Sequence, residues 1–137
     1  NAHGSDIWKG LNREVLVGPT GLYRYGAGGG GSSETGQTNP GLGGGILILC
    51  APAIRFGENA SLEAKGISAA VIAGQPGSGG GGGGHIECWT RAAISDPDWA
   101  KVSVAGGSGS AAGAGAMPPL AGGHGLDGFK LRKPVGS

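Results

Sequence analysis

The chain has 137 residues, of which 34 are glycine, and its formal net charge is +1 at neutral pH. Glycine makes up roughly 7% of ordinary proteins, so this content excludes an ordinary globular composition. Collagen is excluded too, because glycine occurs in runs such as 79–84 rather than at every third position. With 14% charged residues, the chain has neither the basic surface of a nucleic-acid-binding protein nor an acidic tail.

The hydrophobic residues do not form a membrane-spanning or secretory segment. The apolar stretch at 67–73 has about seven residues and includes Ser68, whereas a transmembrane helix needs about 20. Neither a membrane nor a nucleic acid is therefore expected as a partner. The first residue is Asn1 rather than methionine, so we expect a processed chain or a fragment of a longer one.

The predicted elements begin with a hairpin and continue as further strands. In chain order, strands are predicted near 14–17, 22–25, 46–50, 53–56, 61–65, 85–90, 101–105 and 126–131. Turn residues interrupt them at 18–21, 57–59 and 95–98. The strand at 46–50 is apolar throughout and is predicted to be covered on both faces. Helix is predicted to be nearly absent, because glycine disfavours it.

A repeat of about 40 residues organises these strands. Residues 22–26, 62–66 and 102–106 are short strands that end in glycine, at a spacing of 40. Glycine-rich arms of 19, 18 and 17 residues occupy 27–45, 67–84 and 107–123. Such similar lengths favour ordered arms that lie side by side. We therefore predict a single domain with repeats at 3–43, 44–84 and 85–123 and a closing strand at 124–133.

The predicted fold is all-β, a repeat β-solenoid or stacked-strand fold with long, glycine-rich, polyglycine-II-like arms. An isolated arm would be disordered, because fixing each backbone residue costs about 1–2 kcal/mol and a glycine run has no side chains to bury. We expect ordered arms only as a bundle held by backbone hydrogen bonds. Alternation along the strands predicts a core formed by Leu22, Leu47, Leu49, Leu62, Ala64, Val102 and Val104.

The two ends of the sequence resemble each other. Residues 3–9 (HGSDIWK) and 124–130 (HGLDGFK) are displaced by 121 positions, about three repeats. Similar first and last strands leave a repeat protein without distinct caps, so that a second copy can extend the stack. We predict self-association through an interface that contains His3, Asp6, Trp8, His124, Asp127 and Phe129.

No catalytic, cofactor or metal site is predicted. The glycine runs match phosphate-loop patterns only by chance, because no Gly-Lys-Ser/Thr follows them. His3, His85 and His124 share a position in the repeat and are interpreted as a polar ladder, with a metal site as the alternative. Asp96 and Asp98, taken with Glu87, are interpreted as turn acids rather than as the carboxylate pair of a glycosidase.

Cys50 and Cys88 are expected to be free, buried thiols. In register, Cys50 lies opposite Trp89 and Cys88 opposite Leu49, so the thiols point to opposite faces and a disulfide would need a one-residue slip. Asn59-Ala60-Ser61 matches an N-glycosylation sequon, and a simple turn asparagine is the favoured interpretation.

Three segments resemble a known family. Residues 43–54 (GGGILILCAPAI), 62–66 and 122–131 are similar to the glycine-rich repeat of bacteriophage virion proteins, especially tail-fibre and related appendage proteins. The resemblance implies a non-enzymatic structural or adhesive protein with a host-cell surface receptor among its partners. The alternative is a self-assembling extracellular filament subunit, and an enzyme is the third option. Both leading functions imply a virion or extracellular location and a homo-oligomer or fibre.

Overall fold

The structure is a computed structural model that describes residues 12–18, 21–26, 29 and 39–134. The first half of the described chain contains β1 (Asn12–Gly18), β2 (Gly21–Gly26), β3 (Ile46–Ala51) and β4 (Leu62–Glu63). The second half contains β5 (His85–Thr90), the helix α1 (Asp96–Trp99), β6 (Val102–Ser103) and β7 (Phe129–Pro134). Long stretches outside these elements are rich in glycine.

The strands form three small sheets. β1 and β2 make an antiparallel hairpin, with a register shift between Glu14 and Leu16. β3, β5 and β7 form a parallel sheet with β5 in the centre, and β4 and β6 form a separate parallel pair. Because parallel strands need long crossover connections, the glycine-rich stretches run between successive members of each parallel sheet.

The prediction of an all-β solenoid is wrong. Within the described residues, the structure is a small domain with a few strands, mainly in parallel sheets that do not close, and with little helix. β4 and β6 have only two residues each, residues 53–56 form no strand, and the last strand starts at Phe129. The physical reason lies in composition: a glycine-rich stretch has no side chains to bury between successive coils, so regular strand pairing ends where the larger residues end.

A small side-chain core lies between the three-stranded sheet and the β4–β6 pair. Its buried members come from β5, from β6 and from the residues beside them: Ala64, Ile86, Cys88, Ile94, Val102 and Val104. Half-buried side chains pack around this cluster: Leu47, Leu49, Ile54, Phe56, Leu62 and Trp99. Every predicted core residue whose side chain is described therefore lies in or against this core. The side chain of Leu22 lies outside the described part.

Two neighbouring strands reverse the burial that their composition suggests. β3 is apolar, yet it is an edge strand, with Ile48 38% exposed and Cys50 exposed. The prediction that this strand is covered on both faces is therefore wrong. β5 carries His85 and Glu87, and both are buried, the latter completely. β5 is the central strand, with a strand on each side, and β2 also contacts it, whereas β3 has a strand on only one side.

The centre of the glycine-rich region is buried backbone. Residues 77–84, the glycine core segment, are buried throughout. Its N–H groups at 77, 80 and 83 donate to carbonyls at 120, 123 and 126, and those at 81 and 84 donate to carbonyls at 67 and 64. Its carbonyls at 79 and 82 accept from 41 and 44, and those at 78 and 81 accept from 110 and 107. Partners therefore change with a three-residue period, that of an extended helix with three residues per turn.

Glycine is needed in this segment because other backbones approach it very closely. A Cβ atom added at Gly83 would overlap the carbonyl oxygen of Val104, and one at Gly81 would overlap that of Leu42. By contrast, a Cβ at Gly45 would meet no atom within 4 Å. We call the packed segments 39–45, 64–84 and 104–128 the glycine bundle.

The turn predicted at 95–98 is a single turn of helix, α1 (Asp96–Trp99). Ser95 is the N-cap, and its Oγ accepts a hydrogen bond from the Asp98 N–H at 3.3 Å. Arg132 of β7 donates to the carbonyl of Ile94 and to the carboxylate of Asp96, which fixes α1 against the sheet.

Over the described residues, no helix has the length and apolar character of a membrane span.

Candidate functional site

The two ends of the molecule differ in charge: the glycine bundle carries an uncharged end, and the region beyond its other end is rich in charged residues. Residues 66–84 and 105–123 contain no charged residue. The opposite region, which we call the sheet end, comprises 50–58, 89–101 and 129–134 and contains six basic and three acidic residues. At about 3.1 Å per residue, a segment as long as the glycine core segment spans roughly 25 Å. A ligand at one end would therefore lie well away from the other end.

The uncharged end is formed by two turns, at 73–75 and 114–118, which we call the distal turns. Gly74 donates its N–H to Ala114 at 2.8 Å, and Gly113 donates to Gln75 at 2.9 Å. Gly74 and Gly115 have φ angles of 76° and 79°, in the left-handed region that glycine tolerates best. The two turns are therefore tied to each other through their backbones.

Apolar side chains are exposed around the distal turns. Met117 is 88% exposed and Val71 58% exposed, and Leu120 is exposed as well. Contiguous exposed apolar surface is the usual mark of an interaction site, whereas single exposed residues are common. Here the three apolar side chains lie around a pair of turns whose backbones are already fixed.

A buried polar row runs along one face of β5. His85 Nε2 lies 2.9 Å from Glu87 Oε1, and the Trp89 indole N–H donates to Glu87 Oε2 at 3.0 Å. Strand alternation places these side chains on the face opposite Ile86 and Cys88. Hydrogen bonds offset the cost of burying the carboxylate and fix the orientation of the indole. Sequence reasoning missed this row, although its alternating His-x-Glu-x-Trp pattern is visible in the sequence.

The predicted self-association residues are divided between described and undescribed parts of the chain. His124 Nδ1 accepts from the Gly109 N–H at 3.2 Å, and Asp127 Oδ1 accepts from the Gly106 N–H at 3.0 Å. Both therefore have intramolecular roles. Phe129 lies on the edge strand β7 and is 46% exposed. The remaining predicted residues, His3, Asp6 and Trp8, lie outside the described residues.

The predicted histidine ladder does not form between its two described members. His85 is in register with Phe129 rather than with His124, and the two rings of that pair have centroids 5.1 Å apart. The closing strand is shifted because the segment 105–128 is longer than the repeat spacing allows. Across the described residues, no group of three or more His, Cys, Asp or Glu side chains is placed to hold a metal ion.

The three acids considered as a glycosidase pair occupy different surroundings. Glu87 is buried in the polar row of β5, whereas Asp96 lies on α1, where it pairs with Arg132. Asp98 lies in the first turn of the same helix, where acidic side chains are favourable. Asn59 lies in an exposed turn.

Both cysteines are free, as predicted, and the predicted register is confirmed: Cys50 pairs with Trp89, and Leu49 pairs with Cys88. The expectation that both thiols are buried is wrong for Cys50, which is exposed on the edge strand. Cys88 is buried, and burial raises the pKa of its thiol. The two thiols therefore differ in accessibility.

Comparisons with protein-family models, curated proteins and solved structures found no match to this chain.

Proposed function

We propose that the protein is a non-enzymatic structural and adhesive module of a bacteriophage virion appendage, a tail fibre or a related part, exposed outside the cell. The observation that supports this function best is the glycine core segment, which is buried throughout and bonded through its backbone to the segments around it. Such an arrangement makes a stiff spacer. It ends in the distal turns, where uncharged residues and exposed apolar side chains suit contact with a host-cell surface.

The packing of the distal turns favours adhesion on physical grounds. Binding is weakened by the entropy that loops and side chains lose when they become ordered. Hydrogen bonds between Gly74 and Ala114 and between Gly113 and Gln75 already fix these turns. Apolar contacts made by Val71 and Met117 would therefore order little additional backbone.

The adhesive function is tested by measuring how labelled protein binds to a panel of bacterial strains. A dye attached to the exposed Cys50 lies at the sheet end, away from the distal turns. We expect saturable binding to some strains, and a loss of at least about tenfold in affinity for the Val71→Ser/Met117→Ser variant, because two apolar contacts are removed. The matched control Ile48→Ser removes an exposed apolar residue of β3, outside the distal turns, and should bind normally.

Two results would contradict the adhesive function. One is the absence of saturable binding to any strain of a broad panel by correctly folded protein. The other is an equal loss of binding in Ile48→Ser and in the distal double variant, which would show that the distal turns are not the contact surface.

A second candidate, a self-assembling extracellular filament subunit, is supported by the open three-stranded sheet. β3 and β7 are its two edges, and an edge strand can pair with a strand of another copy. Pairing of unlike edges is head-to-tail and gives fibres unless the rotation closes a ring. Electron microscopy separates the candidates: long fibres favour the filament, and discrete particles favour the appendage module. Deleting residues 1–9 should shorten any fibres if the ends of the chain mediate the contact.

A further inference from the structure

Three neighbouring cavities lie at the sheet end, where the carboxyl ends of β3 and β5 meet the loops that follow them. The cavity with an aromatic wall has a volume of about 330 Å³ and is lined by Cys50, Ala51, Pro52, Trp89 and Arg91. We call it the Trp89 cavity. Its volume lies within the range of small-molecule sites.

The aromatic wall of the Trp89 cavity is held in place on several sides. The indole N–H donates to the buried Glu87 carboxylate at 3.0 Å, which sets the tilt of the ring. Cys50 and Lys133 flank Trp89 on the adjacent strands, and Lys133 Nζ lies 5.8 Å from the centre of a Trp89 ring. The indole therefore does not have to be ordered when a ligand arrives.

The second wall is equally fixed and ends in a cation. The backbone N–H groups of Arg91 and Ala92 both donate to the carbonyl of Pro52, at 3.1 and 3.0 Å, so the two loops around the cavity are joined. Arg91 is exposed and makes no ion pair within the described part of the chain. A guanidinium that is free of carboxylates and adjoins a cavity is available for an anionic group.

The two neighbouring cavities differ in charge. One has a volume of about 340 Å³ and is lined by both Arg55 and Asp98, and the other has a volume of about 240 Å³ and includes Arg132 and Lys133. Arg132 is already paired with Asp96, so Lys133 is the cation beside these two cavities that has no carboxylate nearby in their linings. The excess of basic residues in the chain is thus concentrated beside these cavities.

We propose that the Trp89 cavity binds a carboxylate-bearing saccharide. An indole packs well against the apolar face of a sugar ring, and a guanidinium binds a carboxylate through two parallel hydrogen bonds. A neutral sugar would leave Arg91 unused, and a small inorganic anion would leave Trp89 unused. Lys133, which lines a neighbouring cavity, places a further cation where the next acidic sugar of a chain would lie. This site is at the end opposite the distal turns and does not depend on adhesion through them.

Calorimetric titration of the full chain with tetragalacturonate, at physiological ionic strength, tests the proposal. We expect saturable binding with a Kd between about 10 μM and 1 mM, and weakening of at least about tenfold in Arg91→Gln, because a charge-assisted bond is lost. The matched control Lys65→Gln removes an exposed cation that pairs with Glu63 in another part of the surface. It should change the Kd by less than about twofold.

Two further probes separate a saccharide site from a simple anion site. Fully methyl-esterified tetragalacturonate should bind at least about tenfold more weakly than the acid, because it cannot pair with Arg91. Tripolyphosphate should neither displace the acid at equal concentration nor shift the indole N–H resonance of Trp89, which the acid should shift. The resonance can be assigned with Trp89→Phe.

The proposal is overturned if tetragalacturonate does not bind saturably, if its methyl ester binds equally well, or if tripolyphosphate displaces it and shifts the same resonance. It is also overturned if Arg91→Gln and Lys65→Gln have equal effects. Strain binding through the distal turns is a separate measurement, so either function can fail without the other.

Discussion

The glycine bundle and the side-chain core fill their interiors in opposite ways. In the glycine bundle, the buried material is backbone, and each hydrogen bond contributes on the order of 1 kcal/mol. In the side-chain core between the sheets, Ile86, Val102 and their neighbours bury apolar side chains, at about 25 cal/mol per Å². The comparison shows that one small chain can combine an interior of closely packed backbone, where many glycine positions exclude a Cβ atom, with another that depends on side-chain volume. Different substitutions should therefore break the two regions.

The largest effect is expected from adding a single methyl group to the glycine core segment. In Gly83→Ala, the new Cβ would overlap the Val104 carbonyl, and the obstacle is backbone that cannot rotate away. We expect a loss of more than about 4 kcal/mol in the free energy of unfolding, enough to unfold a marginally stable domain. Circular dichroism and calorimetric melting would measure it.

Gly45→Ala is the control for this substitution, because its Cβ would meet no atom within 4 Å. It should leave the melting temperature unchanged or slightly raised, since alanine reduces the entropy of the unfolded chain. If Gly83→Ala melted like Gly45→Ala, the close approach of the bundle's backbones would be wrong.

The next largest effect is a difference in the rates at which the two thiols are chemically modified. At pH 8, iodoacetamide should modify the exposed Cys50 at the rate of a free thiol and Cys88 at least about a thousandfold more slowly, since Cys88 reacts only when the core opens. Mass spectrometry of peptides would measure both rates, and equal rates would show that β5 is not a stable central strand.

The same burial gives a pH dependence with a definite sign. Because the pKa of Cys88 is raised in the folded protein, the stability associated with its neutral thiol is complete below the pKa of the unfolded chain. It is lost as the pH rises through the raised folded value. In a Cys50→Ser background, the melting temperature should therefore fall on the alkaline side of about pH 9.

The smallest effect sharpens the comparison between the central and edge strands. Ile86→Val deletes a methylene from a fully buried side chain and should lower the unfolding free energy by about 1 kcal/mol. Ile48→Val makes the same change on the edge strand, where the side chain is 38% exposed, and should cost only a few tenths of a kcal/mol. Denaturant melts of both variants give the values; a larger loss for Ile48→Val would reverse the assigned burial.

Aligning the repeats of the chain with one another was sufficient to predict the register of the strands whose apolar residues match. It placed Cys50 opposite Trp89, and that pairing is present; Leu62 and Val102, equivalent in the 40-residue repeat, are also paired. It failed for the closing strand, where His85 faces Phe129 rather than His124. The segment 105–128 contains few large side chains, so the sequence shows few apolar contacts that would fix the register of the strand after it. A shift of that strand by several residues therefore could not be predicted from the sequence.

The candidate sites were harder to predict than the registers. The apolar composition of β3 predicted a strand covered on both faces, but β3 is an edge strand of the sheet. The order of strands in the sheet is a long-range property, which local patterns do not contain. The Trp89 cavity combines residues from two strands and two loops, and the Glu87 carboxylate that orients its indole was grouped with Asp96 and Asp98, which were interpreted as turn acids.

The three-residue alternation of hydrogen-bond partners in the glycine core segment restricts how the chain can change in length. Inserting one glycine between 77 and 84 would rotate every following N–H by about a third of a turn, toward the wrong neighbour. Inserting three would restore each donor to its original side, provided that the adjoining segments lengthen equally. The distance between the distal turns and the sheet end should therefore change only by three residues, or a multiple of three, inserted or deleted in all adjoining segments together.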